Sequence, residues 1–365
     1  MTDLFGGIYK GKNVLVTGHT GFKGSWLCYW LTQMGANVVG YATEAPTDPN
    51  HIGLLNMDMV SVNGDIRDQK RLDETFEKYQ PEIVFHLAAQ ALVRLSYDEP
   101  VDTFDTNVMG TLKVFEACRK TESVRAVVNI TSDKAYENKE WVWGYRENDP
   151  MGGHDPYSAS KGCAELLASS YRNSFFNLST YGTEHHILLA SCRAGNVIGG
   201  GDWAKDRLMT DIMLSASRNE KVKIRNPHAT RPWQHVLEPL SGYLAIGQKL
   251  LEGKKEFAEG WNFGPSDEGS ITVENVIRHI QKYWDTVEYE IDRSSKNPHE
   301  ANLLKLDCSK AHIKLHWKSV WESETTFEKT VTWYKNFYKY GEILTDKDLE
   351  AYIADARKKQ LEWSY

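Results

Sequence analysis

The chain has 365 residues, of which 25% are charged and 41% hydrophobic, with a formal net charge of −7. That length suggests about two domains around an ample core, and the composition is that of a folded globular protein rather than a disordered one. The acidic balance argues against a broad nucleic-acid footprint, and no window approaches about 18 uninterrupted apolar residues, so no membrane span is expected.

The five cysteines (Cys28, Cys118, Cys163, Cys192, Cys308) include no C-x-x-C pair. They read as reduced thiols, and no metal site is expected from them. The opening MTDLFGGIYKGK lacks the charged-then-apolar pattern of a secretory signal, so the expectation is a cytoplasmic chain.

NVLVT (13–17) is a short β-branched run that leads into a glycine-rich turn, and GFKGSWLCYWLTQMG (21–35) has helical length with Gly35 as its stop. Strands are expected at 37–42, 59–65, 82–89 and 125–132, with helices at 69–79, 102–120 and 157–171 between or after them. This alternation predicts an α/β fold: a Rossmann-type, doubly wound parallel sheet with helices on both faces. Past residue 190 the alternation becomes irregular. Glycine-rich and polar loops (191–203, 229–236) separate short helices at 206–218, 235–252 and 273–283, and a helical pair closes the chain near 324–341 and 346–359. The expected division is a cofactor-binding domain over 1–190 and a smaller mixed substrate-binding lobe over 191–365, from which some segments return to the first domain.

Gly18, Gly21 and Gly24 form G-x-x-G-x-x-G between the first strand and the first helix. Glycines there permit a tight turn and close backbone approach, and the helix N-terminus offers free N–H groups to a pyrophosphate. A dinucleotide site therefore spans Gly18, His19, Thr20, Gly21, Phe22, Lys23 and Gly24. His19 and Lys23 have two readings, cations that attract the pyrophosphate or solvated loop side chains. The second strand ends in GYATEA (40–45), with no well-placed Asp and no Arg for a 2′-phosphate, which leaves NAD as the expected cofactor. Asp65 and Ile66, after the third strand, are positioned to hold an adenine.

TSDKAY (131–136) lies at the end of the fifth strand, and YSASK (157–161) opens the next helix. Tyr157 and Lys161, at i and i+4, share a helix face. An ammonium beside a phenol favours the phenolate, so the Tyr157 pKa is expected to fall toward neutrality and its oxygen to take a proton from an alcohol. Ser132 would complete the hydrogen bonding to that hydroxyl.

GHTGFKG (18–24), GDIRD (64–68), HLAAQ (86–90), NVMGT (107–111), TSDKAY, YSASK and RAGNVIGGGDW (193–203) together resemble the extended short-chain dehydrogenases/reductases, and within them the nucleotide-sugar 4,6-dehydratases. The likeness covers nearly the whole chain. GHTGFKGSWL, SDKAY and RPWQHVLEPLSGYL (231–244) are most similar to the branch acting on CDP-glucose. The resemblance implies an internal oxidation, loss of water and reduction that yield a 4-keto-6-deoxy sugar. It assigns the 4-hydroxyl proton to Tyr157 and the acid role to Asp133. The C5 base of the thymidine- and GDP-linked branches is a Glu, and Lys134 stands at that position here. Lys134 is then either a neutral base or a charged stabiliser of the enolate.

The resemblance also implies that Leu87, Ala88, Ala89, Gln90 and Asn107 border NAD along with Tyr157 and Lys161. Gln90, Arg94 and Ser132 would border the sugar. Asn196, Arg207, Arg231 and His299, the last within NPHEA (297–301), would take the nucleoside diphosphate. Helices near 102–119 and 157–171 would pair across a two-fold in a homodimer or dimer of dimers. Trp203 and Trp233 are read as packing. Two other functions compete: a nucleotide-sugar 4-epimerase, which needs no acid–base pair for loss of water, and a non-catalytic NAD-binding sensor, which needs no Ser–Tyr–Lys set.

Overall fold

The computed structural model describes residues 1–224, 227, 230–265, 270–292 and 303–365. Seven parallel strands form the central sheet: β1 (Asn13–Thr17), β2 (Asn37–Ala42), β3 (Val60–Asn63), β4 (Ile83–His86), β5 (Ala126–Ile130), β6 (Leu188–Arg193) and a later strand, Gly260–Asn262. Their spatial order is β3, β2, β1, β4, β5, β6, then Gly260–Asn262. The order reverses between β1 and β4, which opens a crevice at the carboxyl ends of the strands where ligands of such sheets bind.

Strand residues alternate between the two helical layers, as the pleat requires. Val14, Val16, Ile83, Phe85, Ala126 and Val128 enter one core with Trp26 and Trp30 of α1 (Phe22–Gln33). Leu15, Val84 and Val127 enter the other, against Leu72 and Phe76 of α3 (Gln69–Tyr79). The short α2 (His51–Leu54) lies between β2 and β3.

After β4 come α4 (Val93–Asp98) and α5 (Pro100–Phe104), then a π-helical turn at Asp105–Gly110 that runs on into α6 (Thr111–Lys120). The single helix expected over 102–120 is thus interrupted. The buried Asn107 amide is hydrogen-bonded to the backbone of Gln90, and a Cβ on Gly110 would collide with Ile66, so the chain rewinds locally. α7 (Pro156–Ser174) is capped by Asp155, whose carboxylate accepts from the Ser158 N–H at 2.9 Å.

The sheet does not stop at residue 190. β6 crosses that point, and α9 (Leu237–Leu251) packs into the first core with the Gly260–Asn262 strand. The second lobe has its own core, built from α8 (Leu208–Ser217), α10 (Val273–Tyr283) and α12 (Ser323–Tyr340). Three two-stranded sheets accompany it: β7 (Val197–Ile198) with β10 (Gln234–His235), β9 (Thr230–Pro232) with β12 (Ser270–Thr272), and β8 (Lys221–Ile224) with β13 (Glu288–Ile291). Gly260–Asn262 is β11, and α11 (Ser309–Lys314) and α13 (Thr345–Lys358) return to the first core. Among the described residues no helix is long and apolar enough to cross a membrane.

Candidate active site

The glycine loop is a cradle that side chains would fill. Gly18 adopts φ +75°, and a Cβ there would lie 2.7 Å from the backbone N of Ala88. A Cβ on Gly24 would run into the Gly18 carbonyl. No side chain caps α1 at Gly21, so its first N–H groups face the crevice mouth. Leu87 and Ala88 complete the wall: both their N–H groups bond Thr17, Leu87 to the carbonyl and Ala88 to the hydroxyl at 3.2 Å. These features fit the pyrophosphate of a dinucleotide.

His19 is not a phosphate-facing cation. It is buried, its Nε2 is 2.7 Å from the Ser61 hydroxyl, and burial lowers its pKa to about 4. Lys23 is different. Burial, helped by the nearby Arg207 charge, lowers its pKa to about 7, and Asp133 opposes that shift. Tyr41 fills the end of β2, donating to the Asp65 carbonyl at 2.9 Å. The Asp65 carboxylate is paired with Arg67, whose hydrogen bonds hold it below the usual range.

Two more expected ligand contacts turn inward. Both amide hydrogens of Asn107 are taken, by the Gln90 carbonyl at 3.0 Å and the Ser160 hydroxyl at 2.8 Å. The Gln90 amide folds back on Leu92 and Thr103. Their side chains hold the loop after β4 in shape.

The reactive groups meet at the end of β5. Ser132 starts a single 3-10 turn at Asp133–Ala135. Its hydroxyl donates to Asp133 Oδ1 at 2.9 Å, and Lys134 Nζ lies 3.5 Å from the same oxygen. Asp133 is 1% exposed, and its Oδ2 has no hydrogen-bond partner among the described residues. Gly195 lies flush against that oxygen; any Cβ there would overlap it. The neighbouring Asn196, at φ +48°, keeps a buried Nδ2 that likewise lacks a partner among the described residues.

Tyr157 sits on the first turn of α7, its N–H bonded to the Ser96 hydroxyl at 3.1 Å. The expected fall of its pKa is not observed. Burial raises it to about 12, with Asp133 adding to the rise, while the Ser132 hydrogen bond and the Arg207 charge pull the other way. Burial also lowers Lys161 to about 8, partly offset by Glu165 one turn on. In the protein alone the dry surroundings set the direction of the Tyr157 shift.

Arg207 reaches this group from the second lobe, held by Asp202 at 2.5 Å. Arg94 is 3.6 Å from Asp206, so α4 meets the same loop. Arg231 lies in β9, farther along the lobe. His299 and the NPHEA segment lie outside the described residues. Trp203 and Trp233 both belong to the second lobe's core.

Four residues at this strand end were given no role by the motifs, although Tyr136 ends TSDKAY and Arg193 opens RAGNVIGGGDW: Tyr136, Glu165, Arg193 and Asn262. Glu165 and Arg193 form a buried bidentate pair, Tyr136 accepts from Arg193, and Tyr136 donates to Asn262 at 2.8 Å. The one sequence signal was Glu165 at i+4 from Lys161, continuing the Tyr157–Lys161 stripe.

Residues 15–332 match the protein family described as GDP-mannose 4,6 dehydratase. The CDP-glucose 4,6-dehydratase of Salmonella typhimurium is 56% identical over 339 residues, 92% of this chain and 94% of that protein. A putative UDP-glucose 4-epimerase of Methanocaldococcus jannaschii is 28% identical, over 88% of this chain and 98% of its own length. Among solved structures, an epimerase of Methanothermobacter thermautotrophicus is similar with a TM-score of 0.76 at 25% identity, covering 93% and 96% of the two chains. A dTDP-glucose 4,6-dehydratase of Bacillus anthracis in complex with NAD shares the fold, with a TM-score of 0.70 at 20% identity over 89% and 97%.

Proposed function

The chain belongs to the GDP-mannose 4,6 dehydratase family, and from that premise we infer that it is an NAD-dependent nucleotide-sugar 4,6-dehydratase that converts CDP-glucose to CDP-4-keto-6-deoxyglucose and water. One observation carries the dehydratase chemistry: a buried carboxylate, Asp133, with an ammonium 3.5 Å away, on the turn that also supplies Ser132 beside Tyr157. An epimerase has no use for that extra acid–base pair.

The glycine cradle would hold NAD, which would supply the hydride acceptor for C4 and donor for C6. Tyr157 accepts the proton of the 4-hydroxyl, with Ser132 on the neighbouring turn and Lys161 one helical turn on along α7. Asp133 donates a proton to the departing 6-hydroxyl; its unpartnered Oδ2 supports that role. Lys134, the more exposed of the pair, acts at C5, either as base or as the charge that stabilises the enolate. Asn196, Arg207 and Arg231 serve the nucleoside diphosphate, which gives the sheet domain the cofactor and the second lobe the substrate. His299 is proposed from the sequence alone.

The exposed Val101, Phe104 and Met109, with Leu166 on α7, suit a two-fold helix pairing in a homodimer. The five cysteines, which form no disulfide among the described residues, suit a reducing, cytoplasmic setting.

The test is mass spectrometry after incubation with NAD+ and CDP-, dTDP- or UDP-glucose in parallel. Loss of one water from the CDP sugar alone is expected. The same loss from another sugar overturns the base preference, and an epimer without mass change overturns the dehydratase reading.

A further inference from the structure

The Ser132–Ala135 turn carries the groups assigned to loss of water, and the Gly152 N–H bonds its Ala135 carbonyl at 2.8 Å. Its flanks are held as well. On one side the Thr131 hydroxyl donates to Glu165 Oε1. On the other, Arg193 Nη1 donates to the Tyr136 hydroxyl at 2.5 Å and to the Glu147 carbonyl at 3.1 Å. Glu165 and Arg193 join the two flanks, through Nε to Oε1 and Nη2 to Oε2, both at 2.9 Å.

All four residues are nearly dry: Thr131 is 5% exposed, Tyr136 1%, Glu165 3% and Arg193 4%. The guanidinium stands over the Tyr136 ring, 5.0 Å from its centroid, and a Cβ on Gly260 would come within 2.7 Å of its Nη2. Tyr136 also donates to Asn262, whose own amide donates to the Tyr145 and Asp307 carbonyls at 2.8 and 3.1 Å.

Burial alone does not call for such an assembly. Apolar residues of similar volume often match or exceed a buried ion pair in stability, because two charges must be stripped of water. What the pair supplies is fixed geometry, since a bidentate guanidinium–carboxylate contact constrains direction as well as distance. Glu165 also stands on α7, the helix that carries Tyr157 and Lys161.

We propose that Glu165 and Arg193 form a positioning clamp that grips the turn at Thr131 and Tyr136 and sets Asp133 and Lys134 against Tyr157 and Lys161. The proposal rests on the dehydratase reading above. The two halves of the reaction then depend on the clamp unequally. Oxidation at C4 draws mainly on α7, which has its own cap at Asp155 and its own tie to Ser96, and takes only Ser132 from the turn. Loss of water draws on two side chains of the turn.

Thr131→Val removes one hydroxyl at nearly constant volume and leaves the ion pair whole, and Thr131→Ser keeps the hydroxyl. Each is mixed with NAD+ and CDP-glucose beside the unaltered protein, and the near-ultraviolet band of reduced nicotinamide is followed with product mass. Thr131→Val is expected to slow loss of water about tenfold, about 1.4 kcal/mol of transition-state stabilisation. Reduced nicotinamide then accumulates, and Thr131→Ser restores the normal time course. Should Thr131→Val fail to fold, Tyr136→Phe loosens the other flank and carries the same expectation. An unchanged time course, or an equal loss of both steps, overturns the clamp. Failure of the unaltered protein to release water from CDP-glucose overturns the functional reading itself.

Discussion

Asp133 and Glu165 are buried carboxylates at the same end of the sheet, and their surroundings differ. Glu165 accepts from Thr131 and twice from Arg193. Burial pushes its pKa up, but the Arg193 charge and these hydrogen bonds outweigh that and hold it below the ordinary value. Asp133 shares one oxygen between Ser132 and Lys134, and its other oxygen has no partner among the described residues. A folded chain leaves a dry carboxylate oxygen unpaired only at a cost, and such costs concentrate where chemistry is done. The lower layer holds its shape; the turn above it is left ready to react.

The largest expected effect separates these roles directly. Asp133→Asn should slow loss of water by about 10²–10⁴-fold, the usual range for removing a general acid, with no loss of stability. Product mass and a thermal melt measured together check this; normal turnover in a folded variant would remove Asp133 from the mechanism.

Glu165→Ala should act first on stability, at a cost of about 3–5 kcal/mol, since Arg193 is left charged in a dry layer. Urea denaturation measures it. A cost well under 1 kcal/mol would mean that water reaches the layer.

The comparison also has a pH signature. Lys161 is cationic below about 8 and loses its charge above that value. Turnover should therefore fall as pH rises through about 8, approaching about tenfold per unit, because the active form is the protonated one. A rate that is flat to pH 10 or so would show that the ammonium is dispensable.

Arg119→Ala gives the smallest effect. Its bidentate pair with Glu116 copies the Arg193–Glu165 contact on the surface, with Arg119 40% exposed. Water and salt screen it, so a loss below about 1 kcal/mol is expected. A larger value would mean that burial is not what separates the two pairs.

Much of this cleft was legible in the chain. The glycine cradle occupies seven consecutive residues, Tyr157 and Lys161 share one helical turn, and Ser132–Lys134 are neighbours. Each grouping is local, so strand and helix periodicity already places its members together. The roles expected of His19, Asn107 and Gln90 were not secured in this way. Spacing puts them beside the crevice, and their bonds to Ser61, Ser160 and Thr103, on distant segments, are set by packing alone. The expected depression of the Tyr157 pKa failed because the adjacent cation was visible in the chain and the dry surroundings were not.

By itself, then, the sequence determined the alternating sheet, the glycine turn and the grouping of Ser132–Lys134 and of Tyr157 with Lys161, because short-range geometry suffices for each. Only the tertiary structure decided which partners those groups receive. Thr131, Glu165, Arg193 and Asn262 come from four separated segments. Parallel register places β5, β6 and β11 side by side, and α7 brings Glu165 over their ends. The energy of a buried charge depends on what lies within a few ångströms of it in space, whatever its distance along the chain.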